Sequence, residues 1–130
     1  MRLKDLEMEL SAVKPFAKPK LQLEQYATDA HIAACMLHTA EAEHGDVDGK
    51  TVLDLGVGCG MLSIAAIITG ASHVTAVDID PDALAQCRAN MAYVGIEEDT
   101  GETEKGETEE DSPGRIKLLQ GNVMTDLPAL

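Results

Sequence analysis

Leu3, Leu6, Leu10 and Val13 recur at the spacing of one helical face, which predicts a short amphipathic helix ending before Pro15. Pro15 and Pro19 hold the following segment, KPFAKPK, extended. Thr28 or Asp29 can cap a second helix that runs to about Glu43, with Gly45 as its stop. There the period changes. Lys50 to Leu55 (KTVLDL) is apolar and β-branched, is bounded by the turn Asp48-Gly49, and reads as a buried strand. Met61 to Thr69 reads as a helix stopped by Gly70, and His73 to Ile79 as a second strand. Asp80-Pro81-Asp82 starts another helix, to about Val94: Asp80 can cap free amides, and Pro81 takes the first helical position, where its missing N–H costs nothing. Arg115 to Gln120 (RIKLLQ) makes a third strand. Strand, helix, strand, helix, strand implies an α/β fold with a parallel sheet and right-handed crossovers, preceded here by two helices.

At 130 residues and 45% hydrophobic content, one domain with one core is expected. The longest apolar stretch, Met61 to Thr69, is far short of the roughly 20 residues that span a bilayer, and no charged-then-apolar leader opens the sequence. An intracellular chain, cytoplasmic or nuclear, is the expectation. Cys35, Cys59 and Cys87 are odd in number and form no C-x-x-C pair, so neither a disulfide framework nor a zinc ribbon is suggested. The formal charge of −13 is uneven: Glu97 to Gly114 holds nine acids and one lysine. That stretch contains the near-repeat GETEK-GETEE, offers no apolar group to bury, and reads as a mobile acidic surface insertion over 97–114. Lys14, Lys18 and Lys20 form the chain's one basic cluster; contact with phosphate is one reading and plain loop solvation the simpler one.

The chemistry concentrates in Asp54-Leu55-Gly56-Val57-Gly58-Cys59-Gly60, a glycine-rich turn between the first strand and a helix beginning at Met61. Such a turn brings a ligand against free amides at a positive helix end, and Gly56, Gly58 and Gly60 remove side chains where backbone and ligand must approach. The spacing is G-x-G-x-G, one residue tighter than the dinucleotide fingerprint G-x-G-x-x-G. A dinucleotide needs its pyrophosphate seated on the helix N-terminus. S-adenosylmethionine has no phosphate, and its charged methionine end needs a carboxylate or carbonyls instead. Asp54, at the end of its strand, is placed to meet that ammonium. Asp78, 24 residues further on, ends the second strand near the spacing at which an acid meets ribose hydroxyls. Asp80 is better explained as the helix cap. After the third strand, the Asn122 side chain or the Val123 amide stands where the adenine ring would lie.

The stretches RLKDLEMEL, KPKLQLEQYATDAHIAACML, DLGVGCGMLSI and VDIDPDAL, within Arg2 to Val123, resemble the methyltransferase-like 5 group of small-subunit ribosomal RNA adenine-N6 methyltransferases. The EQY-x-T block discriminates best, since generic methyltransferases share the glycine turn but not this upstream segment. The resemblance implies a Rossmann-like class I methyltransferase fold of which this chain is the N-terminal, S-adenosylmethionine-binding half. It further implies that Gln25 and Thr28 close over the cofactor, that Gly56, Cys59 and Met61 line its methionine end, that Asp78 holds the ribose, and that Asn122 and Val123 meet the adenine. The family usually carries Asp at the position of Asn122, and its connection at the acidic insertion is short. Its catalytic Asn-Pro-Pro-Phe motif, which grips an exposed adenine, has no counterpart in the 130 residues, so no catalytic residue is assigned and turnover by this chain is not expected.

The resemblance also implies an RNA substrate and a small zinc-ribbon activator subunit. The first strand would normally pair with a fourth strand beyond this sequence, so an open apolar edge at Val52 to Leu55 and self-association through it are expected. Two other function classes compete: an NAD-dependent oxidoreductase, against which the tight glycine spacing and Asp54 argue, and a non-catalytic Rossmann-like scaffold. His31, Cys35 and His38 share one helix face, which is more simply a packing surface than a metal site; no metal is expected. Cys59 reads as a small side chain facing the ligand rather than a nucleophile.

Overall fold

The computed structural model describes residues 1–16, 19–23, 25–101 and 113–126. Lys18 of the basic cluster and residues 102–112 of the acidic stretch lie outside the described residues. The chain runs through α1 (Leu3–Leu10), α2 (Ala30–His44), β1 (Thr51–Leu55), α3 (Met61–Thr69), β2 (His73–Asp78), α4 (Pro81–Val94) and β3 (Arg115–Gln120), with one 3-10 turn at Leu21–Leu23. The strands form a parallel sheet in the order β1-β2-β3, with Asp54 beside Ala76 and Asp78 beside Gln120.

Each helix starts and stops for a local reason. Asp29, not Thr28, caps α2 by accepting from the His31 and Ile32 amides, and Gly45 ends it in the left-handed region. Asp80 caps α4 through the Asp82 amide, with Pro81 in the first turn. β2 is the central strand, and Val74, Ala76 and Val77 are buried on it. α3 packs on all three strands, α4 on β2 and β3, and α1 and α2 pack on each other and on α3. The core joins Leu6, Leu10, Ile64, Val74, Met91 and Ile116.

One expectation changes. The first strand is not buried on both faces. Val52 and Asp54 turn toward α3, but Leu53 and Leu55 are 56% and 46% exposed, on a strand that lies at the edge of the sheet. The first residues of the acidic stretch lie against the sheet. Glu97 to Asp99 runs beside β3: Ile116 donates its N–H to the Glu97 carbonyl at 3.2 Å, and Asp99 donates to the Ile116 carbonyl at 2.8 Å. Glu98 pairs with Arg88 and Asp99 with the His73 imidazole, each at 2.9 Å. Backbone pairing and ion pairs thus supply what apolar burial does not.

Candidate cofactor site

The turn after β1 folds tightly because three glycines there take positive φ, +85° at Gly56, +58° at Gly58 and +98° at Gly60. They serve three ends. A side chain at Gly56 would meet nothing within 4 Å, which leaves open space beside the cavity. One at Gly58 would come within 2.8 Å of the Phe16 ring, and one at Gly60 within 2.7 Å of Cys87 Sγ on α4. Gly60 is therefore a packing position: it lets α3 begin directly against α4, and it does not line the cavity.

That cavity has a volume of about 270 Å³, near the lower end of the roughly 300–1,000 Å³ usual for small-molecule sites. Its floor is formed by Asp54, Gly56, Gly58 and Asp78 from the ends of β1 and β2. Cys59 and Met61 line it from the start of α3, and Gln25 and Thr28 from the segment between α1 and α2, called the strap below. The structure so brings together eight of the eleven residues singled out by sequence. Gly60 stands behind the wall. Asn122 and Val123 lie in the turn after β3 and do not line the cavity; the Asn122 side chain accepts from the Met124 amide, and the Gly121 amide donates to the Asp78 carbonyl.

The two acids differ in environment. Asp78 Oδ2 accepts from the Gly58 amide at 2.9 Å, and its Oδ1 accepts from the Asp80 amide at 2.9 Å, so the acid that ends β2 also shapes the glycine turn. Asp54 has one side-chain partner among the described residues, Ser63, whose hydroxyl donates to Oδ2 at 2.6 Å. Burial holds the Asp54 carboxyl above the usual carboxylate range, the Ser63 bond opposes this, and the Asp78 charge adds to the rise. A cationic group in the cavity would relieve both causes of that rise. A phosphate would meet two carboxylates. Cys59 is buried, which pushes its thiol up and makes it a poor nucleophile.

Sequence reasoning missed how the strap is held. Lys20 pairs with Asp80 at 2.8 Å and Asp82 at 2.9 Å, while Gln25 accepts from the Lys20 amide and donates to Asp80 Oδ2 at 2.6 Å. The Lys20 ammonium is thus a tie to α4, with two carboxylates as its partners. Phe16 lines the cavity above Gly58. Asn90 of α4, 2% exposed, accepts from the Lys14 amide at 3.0 Å and donates to the Lys14 carbonyl at 2.8 Å and the Cys59 carbonyl at 2.9 Å. The proline spacing in KPFAKPK announces an extended segment, but not these partners. On α2, His31 sits between Glu7 at 3.0 Å and Cys35 at 3.7 Å, and among the described residues no group of three His, Cys, Asp or Glu side chains is placed to hold a metal.

A parallel sheet whose first two strands end in acids, joined through a glycine turn over one cavity, defines a Rossmann-like class I methyltransferase domain. The family model for ribosomal protein L11 methyltransferase (PrmA) matches residues 28–124, and the chain belongs to that family. It is 47% identical over 96 residues to the Drosophila melanogaster rRNA N(6)-adenosine-methyltransferase Mettl5, covering 74% of this chain and 45% of that one. It is 48% identical over 91 residues to the Danio rerio rRNA N(6)-adenosine-methyltransferase METTL5, covering 70% of this chain and 44% of the relative. A crystal structure from Pyrococcus horikoshii, described as a candidate RNA methyltransferase, superimposes with TM-score 0.73 at 34% identity over 94% of this chain and 52% of its own. The resemblance to the methyltransferase-like 5 group is borne out by these relatives. The chain spans less than half the length of the curated relatives it matches.

Proposed function

We propose that this chain carries the cofactor side of an S-adenosylmethionine-dependent methyltransferase whose substrate is an adenosine of ribosomal RNA. The observation that carries the reading is the pair of carboxylates, Asp54 and Asp78, facing one cavity from adjacent strand ends beside the open space at Gly56. Asp54, desolvated and held by a single hydroxyl, is the acid to receive the ligand's ammonium. Asp78 keeps lone pairs for ribose hydroxyls while both its oxygens hold turn amides. When bound, the cofactor supplies a methyl group on a sulfonium, a good leaving group for transfer to a nucleophilic nitrogen. The chain's residues bind and orient it: Thr28 and Gln25 from the strap, Cys59 and Met61 beside its methionine end. Asn122 and Val123 remain our choice for the adenine, reached by the turn after β3 that hydrogen-bonds to Asp78.

Support for an RNA substrate comes from the Mettl5 and METTL5 relatives, which are rRNA N(6)-adenosine-methyltransferases. The formal charge of −13 gives no long-range attraction to a polyanion, so RNA is proposed to be held by protein surface outside these 130 residues or by a partner. A small zinc-ribbon subunit, as the family resemblance implies, is the partner we propose, seated near the β1 edge where Leu53 and Leu55 are exposed; self-association is the competing use of that edge. No helix among the described residues is long and apolar enough to cross a membrane. An intracellular setting follows from the proposed substrate.

Titration calorimetry of the chain with S-adenosylmethionine, S-adenosylhomocysteine and NAD tests the reading. Binding of the first two and not of NAD is expected. Binding of NAD alone would replace it with the oxidoreductase reading, and binding of none would favour the scaffold.

A further inference from the structure

Asn90 lies on α4 outside the cavity lining, yet its buried carboxamide makes three hydrogen bonds that join two other parts of the chain. Two go to the N–H and carbonyl of Lys14 in the strap, as a strand partner would supply. The third goes to the carbonyl of Cys59 in the glycine turn. One side chain therefore fixes the strap backbone against the turn backbone from behind. Phe16, two residues beyond Lys14, is the strap side chain that lies against Gly58 and lines the cavity. The strap's other end is held separately, through Gln25 and Lys20 on Asp80.

We propose that Asn90 is a positioning residue of the cofactor site, setting the spacing between strap and glycine turn and so how long a bound nucleoside cofactor is retained. The inference rests on the cofactor reading above. Asn is suited to the task because it offers an acceptor to the Lys14 N–H and two donors to the two carbonyls, and aspartate would keep the acceptor but set a carboxylate against both carbonyl oxygens. With the clamp broken, Phe16 loses its fixed place over Gly58 while Asp54 and Asp78 stay where the strands put them. Retention should suffer more than the capacity to bind.

The test compares the chain with its Asn90→Ala and Asn90→Asp variants, using S-adenosylhomocysteine and stopped-flow release at a temperature where circular dichroism shows each protein folded. Ile116→Val, a mild core change in β3 remote from the strap ties, serves as the stability control. Dissociation is expected to be at least tenfold faster in both Asn90 variants and unchanged in the control, with hydrogen exchange faster at strap amides and unchanged in the sheet. Unchanged dissociation in folded Asn90 variants would overturn the proposal, as would faster exchange spread evenly over strap and sheet. Should the variants fail to fold, exchange in the parent chain decides: saturating S-adenosylhomocysteine must slow exchange in the strap and the glycine turn together, and an indifferent strap refutes the inference. Absence of binding by the parent chain would instead sink the cofactor reading itself.

Discussion

The Gly58 amide donates to Asp78 Oδ2 at 2.9 Å, so the acid that ends the second strand closes the glycine turn that follows the first. Two segments 20 residues apart form one wall. Asp54, on the neighbouring strand, is left with one hydroxyl partner and faces the same cavity.

Replacing Asp54 by Asn is expected to weaken S-adenosylmethionine binding at least tenfold, the lower end of what a charge-assisted hydrogen bond of ~1.5–3 kcal/mol is worth. The same change should raise the thermal midpoint of the ligand-free chain at pH 7. Burial holds the carboxyl above its unfolded value, so the ionised form opposes folding at neutral pH, and the penalty fades as pH falls through the raised pKa. The stability gap between variant and parent should therefore shrink toward pH 4. A variant that binds as tightly as the parent in calorimetry would remove Asp54 from the site.

Asp80 should behave in the opposite sense. Lys20 first, then Gln25, hold its carboxyl below the usual range, so its contribution is present above the unfolded pKa of about 3.9 and is lost as pH falls through the depressed value. Asp80→Ala removes the cap of α4 as well as the anchor of the strap, and a loss of about 0.5–2 kcal/mol is expected from the cap alone. Urea unfolding at pH 7 and pH 3 checks this. The difference from the parent should be large at pH 7 and small at pH 3.

Alanine at Gly60 and at Gly58 should separate stability from binding. At Gly60 the new methyl would lie 2.7 Å from the buried Cys87 sulfur in a left-handed backbone, a combination expected to cost about 2–5 kcal/mol. At Gly58 the obstacle is the far end of the Phe16 ring, which can swing away, so a loss of about 1–2 kcal/mol is expected from the backbone. Binding should fall further for Gly58→Ala than its stability loss explains. Chemical denaturation beside calorimetry distinguishes the two variants; equal stability losses would contradict these roles.

The thiols should rank by burial. Burial pushes Cys87 up to about 12, with the Cys59 and Asp54 charges adding to the rise, and burial likewise raises Cys59. Alkylation at pH 8 followed by peptide mass spectrometry should modify half-buried Cys35 well before the other two. Equal labelling of Cys35 and Cys87 in the folded chain would show that α4 does not pack as described.

Elements announced by local chemistry were legible in advance. α3 and its Gly70 stop, α4 with its Asp80-Pro81 start, and β3 fall where periodicity and caps put them, because the signal and the structure it dictates lie within a few residues. Asp54 and Asp78 were legible for the same reason, both being strand ends beside a turn. The Asn90 clamp and the ties from Lys20 to Asp80 were not, because those partners stand 31 to 76 residues apart and neither spacing nor composition records the pairing. The partners of the first acidic residues, Arg88 and His73, were not legible either, because charge density records no pairing. β1 misled because an apolar strand reads as covered whether or not an element lies over it.

Amide NMR of the isotopically labelled chain, titrated with S-adenosylhomocysteine, tests the cofactor site most directly. The largest shifts are expected at Gly56, Gly58, Thr28 and Asp78, with Ser72, at the other end of the strands, unmoved. Shifts centred away from the glycine turn, or none at saturating ligand, would contradict the assignment of this cavity to the cofactor.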